Sequence, residues 1–204
     1  LDVLTSLPDS PWRQQEELEL QTALVSALTA TAGWSGGEVG ETLGRARALA
    51  EQLDRPECLV PLVMGQFGFH HARSEHGPAL ALAEQLEQIS EARNDVNSKL
   101  LSRVMHGSTR FWLGEFIAAR TILEQCVGPS ESPHRAVEEL SLDPSTTALI
   151  YLAITLACQG YVDQARSRLD EAVSEARRLG HIHNLVTTLH LADWTDWLTR
   201  SPMM

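Results

Sequence analysis

The sequence predicts an all-α fold, a right-handed α-solenoid of about four to five helical hairpins with elongated repeats. Three observations predict it: a composition that favours helices, apolar residues at helical spacing, and internal repetition. Ala, Leu, Glu, Gln and Arg recur along the chain, whereas aromatic residues make up only 5% of it. Such a composition is typical of helices rather than strands.

Glycine, proline and asparagine divide the 204 residues into nine predicted helices. The first begins where Ser10, a favourable N-cap, precedes Pro11, and it runs to about Thr31. A glycine-rich turn at 33–37 separates it from a second helix that ends near Leu53. The later helices are expected at 56–73, 77–92, 95–113, 115–127, 144–159, 161–179 and 181–200. Because the connections are short, consecutive helices are expected to pack as antiparallel hairpins.

Internal repetition supports the solenoid. Three segments share one spacing of small and apolar residues: Ala79-x3-Ala83-x2-Leu86, Ala119-x3-Leu123-x2-Cys126 and Ala165-x3-Leu169-x2-Ala172. A weaker copy is Val39-x3-Leu43-x2-Ala46. Self-similarity at such a period indicates stacked supersecondary units. The sequence therefore predicts a single repeat array over residues 1–204, with a Pro/Ser-rich surface insertion loop at 128–143.

The alignment also predicts where the hairpins turn and where their helices approach closely. The turn is expected five residues before each leading alanine, at Ser74, Gly114 and Gly160. Close approach is expected twelve residues before, at Phe67, Gly107 and Ala153, where Phe67 breaks the preference for small residues.

Charge and hydropathy exclude several partners. The chain has 27 acidic and 16 basic residues and a formal net charge of −11, which disfavours nucleic acid and anionic lipid. The longest apolar stretch, 148–158, is shorter than the ~20 residues of a membrane span. Cys58, Cys126 and Cys158 form no CxxC pair, which fits a reducing cytoplasm. Because the chain begins with Leu rather than Met, we expect a fragment of a larger protein.

Several segments resemble the C-terminal tetratricopeptide region of large bacterial signalling ATPases. They are 7–11 through 17–21, Phe111-Trp-Leu-Gly-Glu-Phe116 with 118–120, Asp143-Pro144, and Gly160-Tyr-Val-Asp-Gln-Ala165. Proteins of this family carry a cyclase, kinase or transcription-activator domain ahead of the ATPase and repeats. The resemblance implies a regulatory region that binds an effector or a partner. No GxxxxGK[ST] loop occurs, so the ATPase is not in this chain.

A solenoid of this kind would bind on its concave face, which the first helix of each hairpin lines. Counting back from the aligned alanines predicts binding residues Met64, Gly68 and His71, then Val104, Ser108 and Phe111, then Ile150, Ile154 and Ala157, with Arg110 beside them. Mixed apolar and polar character suits a peptide or a small effector. The alternative is that Val104, Phe111, Ile150 and Ile154 are core residues between hairpins.

The sequence predicts no catalytic residue and no cofactor, since GxSxG, HExxH and phosphate-binding loops are all missing from it. The alternative is a metal-binding or hydrolytic helical domain that uses His181, His183, His190 and Asp193. The expected function is a non-catalytic interaction or effector-sensing module. Its expected partners are a protein, a peptide or the ATPase region of the parent protein. Self-association through apolar array ends is a further expectation, with Trp194 and Trp197 as exposed anchors.

Overall fold

The structure, a computed structural model, describes residue 4 and residues 6–128 and 143–199. Regular structure in this part of the chain is helical, without strands, which confirms the all-α prediction. We number the helices α1 (Pro11–Ala32), α2 (Gly37–Gln52), α3 (Leu59–Ala72), α4 (His76–Arg93), α5 (Val96–Trp112), α6 (Phe116–Glu124), α7 (Pro144–Cys158), α8 (Val162–Leu179) and α9 (Ile182–Thr199). A 3-10 turn, Pro56–Cys58, precedes α3. The predicted insertion loop at 128–143 lies outside the described residues except for its two ends.

Side-chain caps start three of the helices where the sequence provides Ser or Asp. The Ser10 hydroxyl accepts a hydrogen bond from the Arg13 amide at 3.2 Å, and Pro11 is the first residue of α1, as predicted. Asp95 caps α5 in the same manner. The carboxylate of Asp143 accepts from both the amide and the hydroxyl of Thr146, at 2.7 and 2.8 Å, at the start of α7. These carboxylates also lie at the positive end of the helix dipole, which favours their charge.

The turns between helices share one geometry and one spacing. Residues in the left-handed conformation occur at 54, 74, 94 and 114, each 20 residues after the last, and again at 160 and 180. At five of these turns the amide of the residue after the left-handed one donates to the carbonyl five residues back, as from Glu75 to His70 and from Glu115 to Arg110, both at 2.9 Å. The predicted turn residues Ser74, Gly114 and Gly160 have φ values of 58°, 78° and 84°, so the structure confirms all three.

The aligned repeat positions form the buried face of their helices. All twelve positions of the four aligned copies are buried, and the leading residues Val39, Ala79, Ala119 and Ala165 are completely so. Close approach is also confirmed at Gly107, where a Cβ would lie 2.6 Å from Cγ of Leu123. Another glycine makes the same kind of contact: a Cβ on Gly65 would lie 2.6 Å from Cδ2 of Leu43. Leu43 and Leu123 occupy equivalent positions of the alignment.

The chain divides into two compact units, residues 1–86 and 87–204, with the boundary inside α4. In the first unit, α1 packs on α2 and α2 on α3. Its core is built from Leu18, Val39, Leu43, Ala46, Leu49, Ala50 and Leu62. Arg45 also holds α1 to α2, since its guanidinium donates to both carboxylate oxygens of Glu17 at 2.6 and 2.8 Å. These hydrogen bonds are the main reason that the pKa of Glu17 falls below its usual value.

In the second unit, α7 is the central helix. It packs against α5, α6, α8 and α9, and every residue from 148 to 156 is buried. The sequence explains this position, because residues 148–158 are apolar all round the helix except for one threonine and a tyrosine hydroxyl. Thr155 donates its hydroxyl to the carbonyl of Tyr151 at 2.7 Å, so this threonine carries no unpaired donor into the core.

Candidate binding surface

Five of the predicted concave-face residues, Val104, Ser108, Phe111, Ile150 and Ile154, are buried. Val104, Ile150 and Ile154 belong to the main hydrophobic cluster, and Ile154 is completely buried. Ser108 is buried as well, and its hydroxyl donates to the carbonyl of Met105 at 3.1 Å. The structure therefore buries Val104, Phe111, Ile150 and Ile154 in the core, as the alternative expected. The physical reason is that helices pack on several sides of α7, so no side of residues 148–156 faces an open groove.

The remaining predicted binding residues are only partly accessible. Trp34 covers Gly68, since a Cβ there would lie 3.0 Å from the indole ring. Arg110 forms an ion pair with Glu115 at 2.5 Å, which occupies its guanidinium. Met64 and His71 are half-buried in α3. The structure thus gathers none of these residues into an open groove within either unit.

Burial dominates the electrostatics of His71. Desolvation, with a smaller contribution from the neighbouring His76, lowers the pKa of His71 from 6.5 to about 4. Its ring lies 5.3 Å from that of Phe67, so an aromatic side chain lies against it. At neutral pH His71 is therefore an uncharged, largely structural residue of the first unit.

This lowered pKa predicts a pH-dependent stability. Below pH 6.5 the unfolded chain protonates His71 while the folded chain does not until about pH 4, so acid favours unfolding. We expect the free energy of unfolding to fall between these values by up to about 3 kcal/mol, at about 1.4 kcal/mol per pKa unit. Urea unfolding of wild type and His71→Gln as a function of pH measures it. The dependence of unfolding free energy on pH should be lost in His71→Gln and kept in the control His190→Gln, which changes an exposed histidine. The same pH dependence in all three proteins would contradict the lowered pKa of His71.

The three cysteines are free thiols. Burial raises the pKa of the Cys126 thiol to about 11 and shifts those of Cys58 and Cys158 upward as well. Since the thiolate is the nucleophilic form, all three stay protonated and weakly reactive at neutral pH.

The described members of the predicted histidine cluster do not form a metal centre. Among the described residues, no group of three or more His, Cys, Asp or Glu side chains could hold a metal ion, so His181, His190 and Asp193 do not converge. The side chain of His183 lies outside the described set. His190 and Asp193 are exposed on α9, where they border a shallow depression with Trp194 and Trp197.

The two terminal tryptophans differ in their environment. Trp197 is 67% exposed, as expected of an anchor. Trp194 is partly buried instead, stacked on Trp112 with ring centroids 5.5 Å apart and an angle of 20° between the planes. Phe111 meets both indoles edge-on. Trp194 therefore holds α9 against the end of α5, an aromatic contact that the sequence analysis missed.

Helix α9 carries large apolar residues on its outer side. Ile182, Val186, Leu189 and Trp197 are between 42% and 79% exposed and, with Asp193, follow one another at steps of three or four residues, which places them on one face of the helix. The buried residues of α9 are smaller and mostly polar: Asn184, Thr188, Ala192, Thr195 and Thr199. Leu191 and Trp194 are partly buried beside them. This pattern reverses that of an ordinary surface helix, in which the large apolar side chains face the core.

Hydrogen bonds explain why the inner side of α9 can be polar. The hydroxyls of Thr195 and Thr199 donate to carbonyls of their own helix, at 2.9 Å to Leu191 and 3.3 Å to Asp196. The side-chain oxygen of Asn184 accepts from the backbone amide of Asp143 at 3.3 Å, which ties α9 to the start of α7. The two threonine hydroxyls are thus satisfied within α9, and the Asn184 bond is the contact that fixes α9 to α7.

A groove runs between α8 and α9. Leu169, Val173 and Ala192 form its floor, and Leu189 stands exposed beside them. Its borders are polar, with Asp170, Ser174 and Arg177 on α8 and Asp193 and Asp196 on α9. The three aspartates are exposed and form no ion pair with any other described residue. Asp193 also borders the depression at Trp194 and Trp197, so the groove and the depression are adjacent. We call this combined area the α8–α9 surface.

An apolar floor with acidic borders is suited to binding a partner. Apolar side chains provide hydrophobic contact, and exposed carboxylates attract cations. No helix in the described part of the chain has the length and hydrophobicity needed to cross a bilayer. Comparisons of the chain with protein-family models, with curated proteins and with solved structures gave no match.

Proposed function

We propose that this chain is a non-catalytic interaction module, a right-handed solenoid of tetratricopeptide-like hairpins in a cytoplasmic bacterial signalling or regulatory protein. The reversed pattern of α9 is the observation that carries the proposal. Three apolar side chains and a tryptophan on one exposed face lose contact with water only when a partner covers them. Burying a side chain of this size contributes about 1.5–3 kcal/mol, so the face could supply much of the energy of a specific interaction.

The turns support the repeat architecture. Successive left-handed residues from 54 to 114 lie 20 residues apart, and each stretch of 20 contains one helix and one turn. Two such stretches make one hairpin, which matches the 40-residue repeat. The three clearest aligned copies and the weaker one bury equivalent positions in this framework. Solenoids of such units bind partners through exposed faces of their helices.

The proposal can be tested by selection from a phage-displayed library of helical peptides, with the whole chain as bait. We expect individual synthetic peptides to bind at about micromolar affinity, or near −8 kcal/mol. Hydrogen exchange of the complexes should locate each binding site. A library that yields no reproducible binder, or hydrolysis of model ester or phosphate substrates by the purified chain, would overturn the proposal.

A further inference from the structure

The α8–α9 surface has a chemistry that selects one kind of partner. Resting on the proposed function, we infer that this surface binds an amphipathic helix with basic residues, presented by another protein. The apolar side of that helix lies along Leu189 and Val173, and its Lys or Arg side chains meet Asp170, Asp193 and Asp196. One basic side chain reaches the indole of Trp197.

The shape of the surface favours a helix as its occupant. Two packed helices form a groove between them into which the side chains of a third helix fit. The groove between α8 and α9 has an apolar floor along its length and polar groups on both borders. An amphipathic helix presents a complementary surface, with a central apolar stripe that meets the floor and polar residues on either side that meet the borders.

The charges that border the groove determine that the bound helix is basic. The borders of the groove hold three aspartates and one arginine, Arg177, so the groove is acidic. The aspartates have no cationic partner among the described residues and can accept bonds from Lys or Arg. The chain as a whole carries a net charge of −11, which speeds the approach of a basic segment.

The tryptophan next to the groove adds a second contact for a cation. Trp197 is exposed and borders the same depression as Asp193, so a Lys or Arg side chain there meets an aromatic face and a carboxylate together. Such cation–π contacts contribute about 0.5–1 kcal/mol at exposed sites. A second copy of this chain fits less well, because two copies of the same acidic surface placed face to face repel each other.

Fluorescence anisotropy with two labelled peptides tests the inference. The first is an amphipathic helix of about four turns with leucine at i, i+3, i+4 and i+7 and Lys or Arg elsewhere; the second has Glu in place of every Lys and Arg. We expect the basic peptide to bind at about micromolar Kd and the acidic peptide at least about tenfold more weakly. Equal affinity for both peptides, or no binding of the basic one, would overturn the inference.

Matched variants locate the site. D170N/D193N/D196N should weaken binding of the basic peptide by about tenfold or more. The control E41Q/E84Q/E91Q removes the same charge from exposed positions outside the groove and should change the affinity by less than about twofold. Equal losses in the two triple variants would mean attraction to the overall charge alone, which contradicts the inference.

A third variant separates helix docking from charge attraction. V186S/L189S removes exposed apolar side chains at little cost in stability. It should also weaken binding of the basic peptide by about tenfold. An unchanged affinity of V186S/L189S for the basic peptide would contradict the docking of a helix on α9. If the wild-type chain self-associates and V186S/L189S abolishes this, the occupant of the surface is a second copy of the chain. That result would also overturn the inference. Library peptides that bind only to residues 1–86 would leave the interaction module intact while excluding this site.

Discussion

Gly107→Leu is expected to lower the free energy of unfolding by about 3 kcal/mol or more, because it forces extra atoms between α5 and α6. Even a Cβ at this position lies 2.6 Å from Cγ of Leu123, and Leu123 is itself completely buried. Gly107→Ala should therefore cost about 1–3 kcal/mol although alanine is the better helix former by about 1 kcal/mol. Urea unfolding followed by circular dichroism measures both.

Gly44→Ala is the matched control for Gly107→Ala. Gly44 lies in α2 with nothing within 4 Å of the position of a Cβ, so alanine there gains helix propensity without a clash. We expect Gly44→Ala to stabilise the chain by about 0.5–1 kcal/mol. If both alanine variants stabilise the protein, α5 and α6 do not approach closely at Gly107, and the register of the repeat is wrong.

Ile154→Ala is expected to cost about 2–5 kcal/mol, since it leaves a cavity at the centre of the second unit. Ile154 is completely buried in α7 within the main hydrophobic cluster. Ile117 provides the same chemical change at an 80% exposed position of α6, where Ile117→Ala should alter stability by less than about 0.5 kcal/mol. Thermal unfolding of the two variants compares them.

This pair distinguishes the core from a binding face at Ile154. On an open concave face, loss of the side chain would affect ligand affinity and leave stability almost unchanged. Similar melting temperatures for Ile154→Ala and Ile117→Ala would therefore restore the concave-face interpretation. A large loss for Ile154→Ala alone would support the observed burial.

The sequence predicts the helices and their buried faces well, for local reasons. Pro11 begins a helix, and the glycines at 33, 114, 160 and 180 end helices, through their own backbone preferences. The sequence therefore predicts these helix ends to within a few residues. Left-handed turns at Asp54 and Asn94 are harder to see, since these residues also occur inside helices. Repetition compensates, because the turn at Ser74 aligns with the glycines of the other copies.

The binding surface was beyond sequence analysis because helical spacing tells which residues share a face but not what covers that face. Ile150 and Ile154 on α7 lie four residues apart, and Val186 and Leu189 on α9 lie three apart. Either spacing places two side chains on one helix face, yet the first pair is buried and the second exposed. The difference arises from the number of helices packed on each. Likewise, the stacking of Trp112 on Trp194 joins α5 to α9, which no local pattern predicts.

The regular spacing of the left-handed turns also bears on how the chain folds. Each turn closes through hydrogen bonds between residues at most six positions apart, as from Asp95 to Ser90 and from Tyr161 to Leu156, both at 2.9 Å. A helix and its neighbour can thus meet after a loop closure of a few residues, which costs little entropy. Proteins with mostly local contacts of this kind fold in microseconds to milliseconds. A nascent chain can therefore gain native helical structure before its later segments leave the ribosome.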